Sequence, residues 1–294
     1  MEKKLLLIVN PRAGKAKSRA PLFDAVSIFS EAGYLLSVRN TAARGDAARF
    51  AAEACGVYDL VVCCGGDGTL NETLSGLMTR ENRPPVGYLP AGSTNDFAEG
   101  LKISRNPVLA ARAIVESPGR LLDIGQLGER SFVYVASFGA FTRTSYNAPQ
   151  NAKNALGHFA YILEGMKDLS TLRPYRVRVN ADGETLDGDY LFGAVCNSTS
   201  IGGLMKLDPE KVVLDDGKFE LLLVPDPKTP IGLNNLLLAL LSQQYDQGGL
   251  VFRHAAHVRV ETDEELPWSL DGEYAPGAPS VELVNLPRAI QMLL

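Results

Sequence analysis

The sequence predicts an α/β fold in two domains. A doubly wound α/β nucleotide-binding domain is expected over residues 1–127, and a mainly antiparallel β-sandwich domain over residues 128–294. Up to about Leu127, short aliphatic runs alternate with stretches whose apolar residues recur at i, i+3 and i+4, which argues for helices on the faces of a mostly parallel sheet. Beyond Leu127 short strands follow one another, separated by turn signals such as Ala181-Asp182-Gly183 and Asp215-Asp216-Gly217. A third observation is that glycine- or proline-rich turns come directly after three of the strands in the first half.

In order, the first half should hold strands at residues 5–9, 35–39, 60–64 and 86–89. Helices fall between them at 21–32, 46–55 and 70–78, with Pro21 suited to a first helical turn. In the second half the strands are expected at 131–137, 175–179, 190–197, 219–224, 251–260, 268–270 and 281–286, with helices only at 156–169 and 231–241.

The chain has 294 residues, of which 46% are hydrophobic and 21% charged, enough for two cores. Its 29 basic and 34 acidic side chains sum to −5, so no global positive field draws it to nucleic acid or anionic lipid, and any membrane contact must be local. Residues 5–9 read as a first strand and lack the h-region length of a signal peptide. The most apolar helical stretch, 233–241, contains Asn234 and Asn235 and falls short of the ~18 residues a spanning helix needs. Four cysteines without a C-x-x-C pair imply a reduced, cytoplasmic setting, and His254 and His257 lack the cysteine company of a zinc site.

The segment Cys63-Cys64-Gly65-Gly66-Asp67-Gly68-Thr69-Leu70-Asn71-Glu72 joins a buried strand to a helix through three glycines. Glycines admit a ligand close to the backbone, and the free N–H groups of a helix start favour phosphate. The Rossmann pattern fails because Asn71 stands where its last glycine belongs. A Walker loop fails because Ala16 follows Gly14-Lys15. What is left is a phosphate cradle with an acid, Asp67, inside it, which implies an intervening Mg²⁺; a glycine turn capped by Asp67 is the plainer alternative.

Two further turns, Asn10-Pro11-Arg12-Ala13-Gly14 and Pro90-Ala91-Gly92-Ser93-Thr94-Asn95-Asp96-Phe97, follow other strands and should converge with the first at the carboxyl ends of the sheet. Ser93 and Thr94 offer hydroxyls to phosphate and Asp96 a second carboxylate, unless all three cap the next helix.

Together the three segments resemble the diacylglycerol-kinase catalytic-domain family, which includes bacterial lipid kinases and sphingosine and ceramide kinases. The resemblance extends through Arg120-Leu121-Leu122-Asp123-Ile124-Gly125, Ala136-Ser137-Phe138-Gly139, Leu156-Gly157-His158-Phe159-Ala160-Tyr161, Asp215-Asp216-Gly217-Lys218-Phe219-Glu220 and Leu270-Asp271-Gly272-Glu273. It implies ATP bound by Asn10, Pro11, Arg12, Ala13, Gly14, Thr41, Gly66, Asp67, Gly68, Thr69, Leu70, Asn71, Glu72 and Thr94. Where the family places one Thr after Gly92, this chain has Ser93 and then Thr94, so either hydroxyl can meet phosphate. The resemblance further implies Asp67, Asp96 and Asp123 around a catalytic Mg²⁺, and Glu273 as the base for the lipid hydroxyl with Asp271 beside it. A second, structural Mg²⁺ would be held by Asp216 with the carbonyls of Val213 and Lys218.

The activity so implied is ATP-dependent phosphorylation of a neutral lipid such as diacylglycerol, in a cleft between the domains. The protein would be cytoplasmic and touch the membrane surface transiently, with a homodimer compatible with the chain. Competing readings are a kinase for a soluble acceptor such as NAD and a non-catalytic lipid- or nucleotide-binding regulator; the joint presence of Asp67, Asp96, Asp123 and Glu273 speaks against the last.

Overall fold

The computed structural model describes residues 2–13, 19–93, 95–139, 173–201, 205–208, 210–245 and 247–294. They divide into two compact units, 1–124 with 288–294, and 125–287. The last seven residues, which the sequence suggests for the β domain, group with the first unit.

The first unit contains β1 (Lys3–Val9), α1 (Arg19–Glu31), β2 (Tyr34–Asn40), α2 (Asp46–Ala54), β3 (Leu60–Gly65), α3 (Asp67–Met78), β4 (Val86–Pro90), α4 (Asp96–Gly100), α5 (Pro107–Glu116) and most of β5 (Arg120–Leu127). Its strands run parallel in the order β4-β3-β1-β2. On one face Leu5, Leu7, Leu60 and Val62 pack with Phe29 of α1 and Ala110, Ala111 and Ile114 of α5. Leu6, Ile8, Val61 and Cys63 alternate with them and are fully buried on the other face, where α2 and α3 pack together. Burial on both faces is what doubly wound means here, and each such Leu or Val contributes ~1.5–3 kcal/mol. The helix α5 opens with Asn106 accepting from Val108 N at 2.9 Å and Pro107 in the first turn.

The second unit holds β6 (Arg130–Phe132), β7 (Val135–Gly139), β8 (Tyr175–Ala181), β9 (Glu184–Cys196), β10 (Ser200–Ile201), β11 (Met205–Lys206), β12 (Phe219–Pro225), α6 (Pro230–Leu241), β13 (Val251–Ala255), β14 (His257–Glu261), β15 (Trp268–Leu270) and β16 (Glu273–Ala275). The last strand, β17 (Ser280–Leu293), begins here and ends in the first unit. Pairing is antiparallel, in the order β16-β15-β7-β9-β8-β14-β17, with β12 joined to both β9 and β13. Phe132, Phe138, Phe219, Leu221 and Trp268 fill its core, with the Phe132 and Phe219 rings stacked at 5.5 Å. Asp182-Gly183 and Asp271-Gly272, all with positive φ, form two-residue hairpin turns that join β8 to β9 and β15 to β16.

Two expected strands are corrected. The run 131–137 breaks into β6 and β7, because the N–H groups of Val133, Tyr134 and Val135 turn to a side chain, the carboxylate of Asp271. The run 251–260 breaks at Ala256, where Asp182 accepts from the N–H groups of Ala256 and His257, both at 2.9 Å. The expected helix 156–169 lies outside the described residues, as do the Leu156–Tyr161 motif, Gly14 and Thr94.

Candidate active site

Parallel pairing brings the ends of β1, β3 and β4 level: Val9 stands opposite Cys64, and Cys64 opposite Leu89. The turns that follow are tied to one another by their backbones. Asn10 N donates to Cys64 O at 2.9 Å, and Ala91 N to Gly65 O at 2.7 Å. Asn10 also reaches sideways, its Nδ2 donating to Thr69 Oγ1 at 2.9 Å, while its Oδ1 accepts from Arg12 N at 3.0 Å. Between the β3 and β4 turns the main chains nearly touch, since a Cβ on Gly92 would lie 2.6 Å from Gly66 Cα. No other residue fits there without moving the backbone.

Over these turns opens a cavity of about 440 Å³. Of the residues expected to meet ATP, Asn10, Arg12, Ala13, Thr41, Gly66, Gly68, Thr69, Glu72 and Ser93 line it. The start of α3 is among them, so helix N–H groups and the positive end of the helix dipole face the cavity. Pro11, Asp67, Leu70, Asn71 and Asp96 are not part of the lining, and Leu70 is buried in the core. Gly92, expected as part of the converging β4 turn, also lines the cavity; missed by sequence reasoning is the stretch Ala42, Ala43 and Arg44 after Thr41. The available signal was Gly45-Asp46, a glycine followed by an acid at a helix start.

Asp67, the first residue of α3, does not cap its own helix. Its carboxylate crosses to α4, accepting from Asp96 N at 3.0 Å and Phe97 N at 3.3 Å. Burial raises its carboxyl above the usual range, against the lowering effect of those N–H donors. Behind it, Asn95 in a left-handed conformation accepts from Gly92 N at 2.8 Å and donates to Gly92 O at 2.9 Å. The buried Tyr88 hydroxyl lies 3.2 Å from Gly65 O and 3.4 Å from Asn95 Oδ1, beneath both turns. Asp96 is buried, and Asp123, also buried, accepts from Arg288 N at 2.7 Å.

In the second unit Glu273 opens β16 and is half-buried. Asp271 points inward: Oδ2 accepts from Val133 N at 2.6 Å and Oδ1 from Tyr134 and Val135 N at 3.0 Å each, so its carboxylate pins the Glu273 hairpin to β7. Asp216 is on an exposed turn, accepting from Lys218 N at 2.9 Å, with Val213 also exposed. Among the described residues no group of three or more His, Cys, Asp or Glu side chains is spaced to hold a metal.

Comparison with known proteins adds to this geometry. The model of the diacylglycerol kinase catalytic domain matches residues 4–127, and that of the YegS C-terminal NAD kinase beta sandwich-like domain matches residues 135–294. The chain is 35% identical over 294 residues to a diacylglycerol kinase of Bacillus subtilis (strain 168), covering 99% of this chain and 96% of that protein. It is 32% identical over 293 residues to a diacylglycerol kinase of Staphylococcus aureus (strain MRSA252), covering 99% and 92%. The fold recurs in a crystal structure of a diacylglycerol kinase from Bacillus anthracis str. Sterne at a TM-score of 0.77 and 22% identity, covering 99% of this chain and 96% of that one.

Proposed function

Because the chain belongs to the diacylglycerol kinase family, we propose that it moves the γ-phosphoryl group of ATP onto the hydroxyl of a neutral lipid such as diacylglycerol, giving phosphatidic acid. The observation that carries the ATP half is the cavity over the β1, β3 and β4 ends, lined by glycines, a helix start and two basic residues, Arg12 and Arg44. Phosphoryl transfer asks a protein for little covalent work and much positioning of charge. The Gly66 and Gly92 approach leaves room only for backbone, which is what close contact with phosphate oxygens needs. Asn10 holds Thr69, and hence the start of α3, against the β1 turn.

For Mg²⁺ the proposed holders are the carboxylates of Asp67, Asp96 and Asp123; what supports them is that Asp67 and Asp96 meet across the β3 and β4 turns, where Asp67 accepts from Asp96 N at 3.0 Å. When bound the ion would neutralise charge on the phosphates. Glu273 is the proposed proton acceptor for the lipid hydroxyl, and Asp271 supports it by holding its hairpin. A second Mg²⁺ is proposed at Asp216 with the Val213 and Lys218 carbonyls, an all-oxygen donor set of the kind that ion takes. No helix among the described residues is long and apolar enough to cross a membrane; transient docking from the cytoplasm onto a lipid surface is the proposed mode of contact.

The name of the second matching domain keeps one other acceptor in view, NAD. Incubation with γ-labelled ATP, Mg²⁺ and either mixed micelles containing diacylglycerol or NAD in detergent-free buffer decides between them. Label is expected in extracted lipid only; label in NAD and in no lipid would overturn the lipid acceptor and leave the ATP site standing.

A further inference from the structure

The cavity wall that follows β2 is a turn of four residues, Thr41, Ala42, Ala43 and Arg44, and it is fixed from beneath at nearly every N–H. Thr41 N donates to Val9 O at 2.9 Å. Ala42 and Ala43 N both donate to Asp46 Oδ2, at 2.8 and 2.9 Å. Gly45, at φ +85°, donates from its N to Glu72 Oε1 at 2.9 Å, which ties the end of the turn to α3. Asp46 is in turn held by Arg49, whose guanidinium donates to Oδ1 at 2.8 Å. One carboxylate therefore organises the turn, and a second, on α3, fastens its far end. The only charged residue of the turn is Arg44, which lines the same cavity as Arg12, Gly66, Gly68 and Gly92.

We propose that Arg44 contacts the polyphosphate of the bound nucleotide and that Asp46 is the positioning residue that sets the turn to present it. This rests on the ATP reading of the cavity given above. The chemistry favours phosphate as the partner: Arg12 and Arg44 both line the cavity, and Glu72 is the one acidic residue in its lining. A planar guanidinium binds phosphate oxygens through two parallel N–H donors, and a turn held at both ends loses little freedom when it does so.

The test is calorimetric titration of the full-length protein with ATP, ADP and AMP, together with steady-state kinetics in ATP. Replacing Arg44 by alanine, an exposed change, should weaken ATP and ADP about tenfold, the size expected for one charge-assisted phosphate contact, and AMP by less than about twofold. Asp46→Asn should raise KM for ATP in the same direction with kcat within about twofold, since binding and not the chemical step is affected. Arg49→Ala, which leaves the Asp46 bonds to Ala42 and Ala43 in place, should come closer to wild type than Asp46→Asn. Wild-type ATP affinity in Arg44→Ala overturns the proposal, and equal loss for ATP and AMP overturns the phosphate contact. Asp46→Asn that lowers melting temperature with unchanged KM overturns its positioning role. Should the wild type bind no nucleotide at all, the ATP reading itself fails, and the proposal with it.

Discussion

At Asp271 three backbone N–H groups converge on one buried carboxylate, and the residue two places on is the proposed base. The roles separate by substitution. Asp271→Asn turns an amide N–H toward donors and should cost about 1–3 kcal/mol in urea unfolding, the penalty for leaving buried N–H groups unpartnered. Glu273→Gln should leave unfolding unchanged and slow turnover ~10²–10⁴-fold, the range for losing a general base; full activity in that variant would remove Glu273 from the chemistry. Asp46 yields a prediction in pH. Its carboxyl is held at about 2 by the Ala42 and Ala43 N–H groups first and by Arg49 after them. A folded-state value below the ordinary 3.8 means the ionised form is the one the fold prefers, so its contribution is present above that value and is lost as pH falls through about 2. The melting difference between wild type and Asp46→Ala should therefore be full at pH 5 and shrink as pH is lowered toward 2; a difference that ignores pH would exclude the carboxylate as its source. The glycines of this site are readable in sequence because φ and close approach restrict a position to one residue type. The clamps at Asp46, Asn95 and Tyr88 are not, because an Asp, Asn or Tyr in a turn or strand has many uses and only the fold names its partner.

The helices α2 and α3 illustrate how an element depends on one atom. A Cβ on Gly76 would lie 2.0 Å from Ala48 O, a backbone atom that cannot swing aside. Gly76→Ala should thus force α2 from α3 and cost about 1–3 kcal/mol by chemical denaturation, the range for overpacking, despite alanine's better helix propensity. A stabilised variant would show that the helices separate freely. The parallel strands β1, β3 and β4 were legible because burial on both faces writes an unbroken apolar run, whereas β2 has no buried residue and was read from its aliphatic residues alone. By contrast β5 and α5 were not picked out, although Asn106-Pro107 carries a helix-start signal. The breaks at Ala256 and between β6 and β7 depend on Asp182 and Asp271, which are 74 and 138 residues away from the N–H groups they receive. Alternation within a strand holds no record of such distant partners.

On the scale of the whole chain, the second unit is an insertion in the first: the chain leaves within β5 and returns within β17. The returning residues complete the first sheet, with Met292 and Leu293 pairing in parallel to Val86 and Gly87 of β4. They also supply Arg288 N to the buried Asp123 carboxylate and Ala289 O to the Arg83 guanidinium at 3.1 Å. Deleting residues 288–294 should therefore lower the melting temperature and weaken nucleotide binding, since Asp123 would lose a donor and β4 a neighbour. Unaltered melting and binding would show that the sheet closes without them. The sequence signalled this strand only as far as residue 286, because Pro287 reads as a stop, whereas here it lies between one set of partners and the next. The same arrangement bears on how the protein is made. A ribosome releases a chain from its N-terminus, so the residues that form the cavity emerge well before the strand that closes β4. Throughout that interval β4 offers a bare edge to any extended segment nearby, and the newborn protein is most open to mispairing in the sheet that builds its cavity.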